Sequence, residues 1–275
     1  MSTVLGPALL FCPGDRADRF EKAAERADAV VLDLEDAVAP EAKDTARAAV
    51  AASALDPDRT IVRVCDARSG RLAADLAAVR RSPYRTVMLA KTESPADVDA
   101  VDGDLDVVAL CETAAGVVHA AAIADHPRVV ALMWGAEDLV ASLGGTSSRT
   151  PGGAYRAVAA HARSAVLLAA GAARKAAIDA VRIDIDDIEG CRTEAEDAAA
   201  SGFAAKAAIH PAHAAAIRSA FAPPPDDVAW ARAVLAAAQG RGAFRLDGRM
   251  VDEPVLRHAR GILARARSGA TSAAP

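Results

Sequence analysis

Short apolar runs recur along the chain, with amphipathic stretches between them. The runs are ALLFCP (8–13), AVVLDLED (29–36), TIVRVC (60–65), TVMLAK (86–91), DVVALCET (106–113), VVALMWGAED (129–138), AVRIDIDD (180–187) and AAKAAIHP (204–211). Each is too short to be a lone helix, and several are rich in Val and Ile. Near-continuous apolarity predicts strands covered on both faces, as in a parallel sheet. The Ala-rich segments 16–27, 41–54, 71–80, 94–101, 114–125, 154–177 and 189–201 predict helices. Strand and helix alternating through eight such runs predicts an α/β fold, a (β/α)8 TIM barrel, over residues 1–222. An open doubly wound sheet is the alternative. It usually has about five to seven strands, and no GxGxxG follows the first run here.

The tail changes character at Pro223, Pro224 and Pro225. A helix is predicted over 226–239, a hairpin turn at LDG with Gly248 supplying the tight backbone, and a last helix over about 252–267. The segment 223–267 is too small for a domain of its own. It reads as a C-terminal helical lid, packed on the barrel or on a neighbouring subunit. Residues 268–275, SGATSAAP, read as a disordered tail.

Composition narrows the function. Of the 275 residues, 52% are hydrophobic but only 3% aromatic, so alanine carries much of the apolar count and favours close helix-to-sheet packing. Net charge is −5 with acids and bases intermixed, which argues against a nucleic-acid partner. The N-terminus has no basic run before Asp15 and Arg16, and no stretch approaches the ~20 apolar residues of a membrane span. A cytoplasmic protein without a membrane partner is expected. Cys12, Cys65, Cys111 and Cys191 lie far apart and read as reduced, buried fillers.

The chemistry collects where the strands end. In a parallel barrel every C-terminal strand end opens on one face, where loops build the active site. The predicted strands exit onto Asp15 and Arg16; Asp33, Glu35 and Asp36; Arg63; Lys91; Glu112; Glu137 and Asp138; Asp184; and His210. Several carboxylates at one mouth repel each other unless a cation joins them. With oxygen ligands and no His or Cys cluster, the fitting ion is Mg²⁺, which keeps water and leaves room for substrate oxygens. Glu112 and Asp138, from adjacent strand ends, are the candidate direct ligands. Glu35 and Asp36 are placed around them, holding metal-bound water. The plain structural alternatives are a helix cap for Glu35 and Asp36, and an ordinary salt bridge for Glu112 and Asp138. Arg63 reads as a guanidinium clamp on a substrate carboxylate or enolate oxygen, or as an ion pair with Glu35 or Asp36. Lys91 is a weaker candidate for a Schiff base. The Gly-rich stretch 143–156 reads either as a flexible connector or as a mobile loop lining the mouth.

LLFCPGDRADRFEKA, VVLDLEDAV, TIVRVC, VMLAKTES, VVALCETAAGV, MWGAEDL, AAIHPA and GRMVDEPVL occur in this order. Together they resemble the citrate lyase β-subunit-like proteins of the HpcH/HpaI aldolase and malyl-CoA lyase group. The resemblance implies a TIM barrel, a homotrimer, and Mg²⁺ bound by Glu112 and Asp138. It makes Arg63 a substrate contact, sets Glu35 and Asp36 beside the metal, and lays the backbone of Gly135 and Ala136 against a keto acid. It also implies that Asp252 of MVDEP is a catalytic acid/base, brought by the lid to a neighbouring subunit's barrel. Read from the residues alone, Asp252 is a helix N-cap. The chain departs from the family pattern at Ala90, where proline is frequent, and at His213, where glutamine is frequent.

The activity implied is reversible cleavage of a 3-hydroxyacyl-CoA, of citramalyl-CoA or malyl-CoA type, to acetyl-CoA and a 2-keto acid. Its partners would be the acyl-CoA thioester and the keto acid. Two alternatives stand: a β subunit that works on a carrier-bound citryl group within a multi-subunit citrate lyase, and a class II aldolase acting on a free hydroxy-keto acid.

Overall fold

The computed structural model describes residues 6–239 and 241–272. Strands β1 (Ala8–Pro13), β2 (Ala29–Asp33), β3 (Thr60–Val64), β4 (Thr86–Leu89), β5 (Asp106–Cys111), β6 (Val129–Trp134), β7 (Ala176–Asp179) and β8 (Ala205–Ala208) pair in sequence order, all parallel. β8 pairs back onto β1 and closes the barrel. Every residue of β2 is buried, as expected of a strand with a packed lumen on one side and helices on the other.

The strand period of two sorts the side chains. Leu9, Val31, Ile61, Met88, Leu110 and Met133 share one cluster with residues of β7 and β8. Only the lumen brings one parity of all eight strands together. Two residues further along the same parity stand Asp33 after Val31, Arg63 after Ile61, and Glu112 after Leu110. The barrel interior is therefore apolar below and charged at its C-terminal rim.

The helices in chain order are α1 (Phe20–Arg26), α2 (Lys43–Ala52), α3 (Leu72–Val79), α4 (Pro95–Asp99), α5 (Ala114–Val118), α6 (Ala120–Ala124), α7 (Ala136–Ser142), α8 (Ala157–Ala172), α9 (Ile188–Ser201) and α10 (Pro211–Phe221). Alanine does the close packing, with Ala159, Ala162, Ala169 and Ala170 buried along α8.

Two predicted elements shift. The seventh strand is AAID, within the stretch read as helix 154–177 and just beyond it, and AVRIDIDD (180–187) is mostly connection. A strand covered on both faces has no room for a charge at every second position, and Ile183 and Ile185 lie exposed in that connection. The sixth run also ends sooner than predicted. Its GAED stretch starts α7, so Asp138 stands in a helical first turn rather than on a strand.

The chain divides into two compact units, Met1–Ile217 and Arg218–Pro275, close to the boundary predicted at 222. The second unit holds α11 (Pro225–Ala237), the antiparallel pair β9 (Phe244–Leu246) and β10 (Arg249–Val251), and α12 (Glu253–Ser272). Its own core contains Ala231, Val234, Val251, Leu256, Ala259 and Ile262. The predicted hairpin turn forms with Asp247 at φ 46° and Gly248 at φ 81°, the double positive φ that matches the strand twist. The predicted disordered tail is corrected in part: α12 runs on through residues 268–272, and 273–275 lie outside the described residues. No described helix is long and apolar enough to cross a membrane.

Candidate active site

The carboxylates that end β2 are met by cations from the next two strands. Asp33, fully buried, accepts Nε and Nη2 of Arg63 at 2.7 and 2.5 Å. The same carboxylate caps the turn after β2 through the N–H groups of Glu35 (2.8 Å) and Ala37 (3.1 Å). Arg63 Nη1 stands 3.1 Å from Glu35 Oε2, and its guanidinium lies 5.0 Å over the Phe11 ring. Lys43 of α2 donates to the carbonyls of Leu34 (2.6 Å) and Glu35 (2.5 Å), which pins the turn from below.

Lys91, just past β4, is the hub. Its φ of 47° is uncommon for a residue with a Cβ. In that conformation its backbone N–H donates to Glu112 Oε1 at 3.1 Å, while its ammonium bonds Glu35 and reaches Asp36 Oδ2 at 3.0 Å. Asp138 Oδ1 is 3.7 Å from the same ammonium. Gly135 sits against Glu112: a Cβ at 135 would fall 2.7 Å from Glu112 Cβ and 2.9 Å from its Oε2, so no larger residue fits.

The structure thus brings together Glu35, Asp36, Arg63, Glu112, Gly135 and Asp138, as the sequence predicts. Two sets of contacts tie that group together. Arg63 pairs with Glu35, as its structural reading expects, and also with Asp33, its register partner on β2. Glu35 and Asp36 both contact Lys91, and Glu35 also contacts Arg63. Asp184 lies in the β7–α9 connection rather than at a strand end. Asp252 belongs to the second unit, where its Oδ1 accepts the Val255 N–H at 3.4 Å, a long capping contact at the start of α12.

Electrostatics separates the acids. Burial, then the Asp138 charge, push the Glu112 carboxyl up to about 8. Burial also raises Glu35, against the pull of Arg63 and Lys91. Burial works against the charge of Lys91, but the Glu35 hydrogen bond and the surrounding carboxylates outweigh it and hold the ammonium protonated. A lysine so held is no Schiff-base nucleophile. The cysteines are free and buried, and burial pushes their thiols up to about 11 or 12, so none is a poised nucleophile.

Arg63 and Lys91 therefore offset the burial of Glu112 only in part, and Asp138 faces the Lys91 ammonium at 3.7 Å. A buried carboxylate that holds its proton near neutrality is short of positive charge, and a divalent cation corrects that. The donor set fits Mg²⁺ in an open site: two carboxylates, the other positions left to water or substrate. Among the described residues no cluster of three or more His, Cys, Asp and Glu forms a closed cage.

The Gly-rich stretch is not a loose connector. Ser148 is buried and its hydroxyl donates to Glu137 Oε1 at 2.6 Å. Arg149 bridges to Tyr155, lies 4.0 Å over its ring, and pairs with Glu194 of α9 at 2.5 Å. Sequence reading did not single out Asp179 and Lys206, which are completely buried behind β7 and β8. The signal was present in AKAA, an otherwise apolar strand with one charge on its outward parity.

The family model HpcH/HpaI aldolase/citrate lyase matches residues 8–211. A citrate lyase subunit beta-like protein of Mycobacterium tuberculosis is 52% identical over 262 residues, 95% of this chain and 96% of that protein. The mitochondrial citramalyl-CoA lyase of Homo sapiens is 30% identical over 295 residues, 95% of this chain and 85% of that one. The structure of CitE from Mycobacterium tuberculosis in complex with magnesium, acetoacetate and coenzyme A aligns with a TM-score of 0.91, at 52% identity, over 96% of this chain and 99% of that one.

Proposed function

The chain belongs to the HpcH/HpaI aldolase/citrate lyase family, and from that premise we propose that it is a magnesium-dependent carbon–carbon lyase. Its reaction is reversible cleavage of a 3-hydroxyacyl-CoA of citramalyl-CoA or malyl-CoA type to acetyl-CoA and a 2-keto acid. The observation that carries the reading is Glu112 at the barrel rim, 3% exposed and raised by burial and by the neighbouring Asp138, where the other acids already share Arg63 and Lys91.

Glu112 and Asp138 would hold the cation. When bound, magnesium supplies positive charge to the substrate's hydroxyl or keto oxygen and the neighbouring carboxylate. In cleavage the bond between the hydroxyl carbon and the thioester α-carbon breaks. Its electron pair passes to the thioester as an enolate, and the hydroxyl-bearing carbon becomes a carbonyl as the hydroxyl proton is lost to solvent. Arg63, oriented by Asp33, stabilises the enolate oxygen or clamps the acid. Asp252 gives the α-carbon its proton in cleavage and removes it in condensation. We assign Asp252 to the barrel of a neighbouring subunit in a homotrimer, with residues 223–267 as the lid that carries it. The backbone of Gly135 and Ala136 lies against the keto acid, and the absence of a side chain at 135 lets Glu112 pack close beside it. Four free thiols suit a reducing cytoplasm.

The test is a panel of thioesters given to the purified chain with Mg²⁺, followed by product identification. Cleavage of citramalyl-CoA or malyl-CoA by the chain alone is expected. Activity only with a carrier partner would make it a citrate lyase β subunit. Cleavage of the free acid without a thioester would make it a class II aldolase.

A further inference from the structure

Behind the β6 side of the rim lies a set of charges that this chemistry leaves idle. Met133, Ile178, Ala205 and Ala207 face the lumen, so the alternation turns Trp134, Asp179 and Lys206 outward, beneath α8 and α9. All three are 0% exposed. Asp179 Oδ1 accepts the Trp134 indole N–H at 2.7 Å and Arg163 Nε at 2.9 Å. Its Oδ2 accepts Arg163 Nη2 at 3.2 Å and Lys206 Nζ at 3.3 Å. Lys206 also donates to the Ala180 carbonyl at 2.6 Å. Buried ion groups of this kind are a poor source of net stability, because desolvation offsets most of their attraction. What they do supply is direction.

The direction matters at Trp134. In the β5–β6 register it pairs with Cys111, so the next residues, Gly135 and Glu112, lie side by side. Their contact is tight enough that a single Cβ would not fit. The indole is the longest lever on the end of β6. Its ring meets Tyr155 edge-on with centroids 5.1 Å apart, and its one polar atom is fixed by Asp179.

Resting on the reading of Glu112 and Asp138 as the magnesium ligands, we propose that Asp179 is a positioning residue. By fixing the Trp134 indole it fixes the end of β6, and with it the face that Gly135 presents to Glu112 and the start of α7 that carries Asp138. Asp179 touches no substrate and acts only through Trp134.

The test uses the full chain and calorimetric titration of Mg²⁺ in the presence of saturating pyruvate. Trp134→Phe removes the indole N–H while Arg163 and Lys206 still neutralise Asp179. Asp179→Asn keeps the shape and removes the charge that grips the indole. Each is expected to weaken Mg²⁺ binding about three- to tenfold, at or below the range for a group bonded directly to a metal ligand, while turnover at saturating Mg²⁺ changes less than the affinity does. Lys206→Met is the control. It disturbs the same buried network without touching the indole, and should lower the melting temperature while leaving Mg²⁺ affinity within about twofold, a purely structural effect. A folded Trp134→Phe protein that binds Mg²⁺ like the wild type overturns the inference, and so does a Lys206→Met protein that loses affinity equally. If Trp134→Phe does not fold, Asp179→Asn decides by the same criterion. Wild-type protein that binds no Mg²⁺ would instead remove the proposed function, and this inference with it.

Discussion

Adding Mg²⁺ to the metal-free protein should expel a proton, and the amount can be worked from Glu112. Its carboxyl stands at about 8 against an ordinary 4.5, raised by burial and by Asp138. With that value the metal-free site holds about 0.9 proton on Glu112 at about pH 7 and about 0.1 at about pH 9. A carboxylate must be ionised to bind the ion, so binding releases what was held. The apparent affinity should therefore rise about tenfold between those two pH values. Titration calorimetry in two buffers of different ionisation enthalpy reads the proton count directly. The heats should differ by about 0.9 times the enthalpy difference at the lower pH and converge at the higher one. Glu112→Gln should abolish both the binding and the buffer dependence. Equal heats in both buffers at about pH 7 would mean that Glu112 is already ionised or is not a ligand, and the electrostatic argument for the site would fail.

The same proton sets a stability trend. The native state keeps it where the unfolded chain has released it, so metal-free protein should lose stability as pH rises from about 4.5 to about 8, and chelator-treated samples whose melting temperature climbs across that window would refute the assignment. Asp252→Ala should lower turnover by about 10²–10⁴-fold while leaving pyruvate and Mg²⁺ binding intact, and full activity would remove the lid aspartate from the mechanism. Asp138→Asn should eliminate Mg²⁺-dependent binding of pyruvate, glyoxylate or oxaloacetate, measured by the same calorimetry. Arg63→Lys loses the two-pronged grip on buried Asp33, so turnover should fall at least about tenfold although the charge is kept, and an unimpaired enzyme would show that planar geometry is irrelevant there. Leu110→Ala in the lumen, a residue 1% exposed, should cost about 2–5 kcal/mol in denaturant unfolding.

Much of the site was legible because strand parity is arithmetic. Val31 and Asp33, Ile61 and Arg63, and Leu110 and Glu112 are each two apart, so a sequence that places the first in the core places the second at the rim. Asp138 was legible only as a neighbour of strand six, since nothing in GAED announces that a helix begins there. The seventh strand was misplaced because AVRIDIDD carries the stronger local alternation, and only closure of the barrel shows that AAID is the segment covered on both faces.

The order of runs, their apolarity and the residues at their ends therefore determined the barrel, the mouth and which acids stand at it. Local pattern encodes secondary structure and facing, and a closed parallel sheet leaves few ways to arrange eight such units. Which acid meets which cation was decided only in three dimensions. Arg63 takes Asp33 through strand register, and Lys91 in its left-handed backbone gathers Glu35, Asp36 and Asp138 around its ammonium while its N–H meets Glu112. Pairing depends on distances of a few ångströms between residues far apart in the chain, and the buried set of Trp134, Asp179 and Lys206 exists only once three neighbouring strands are side by side.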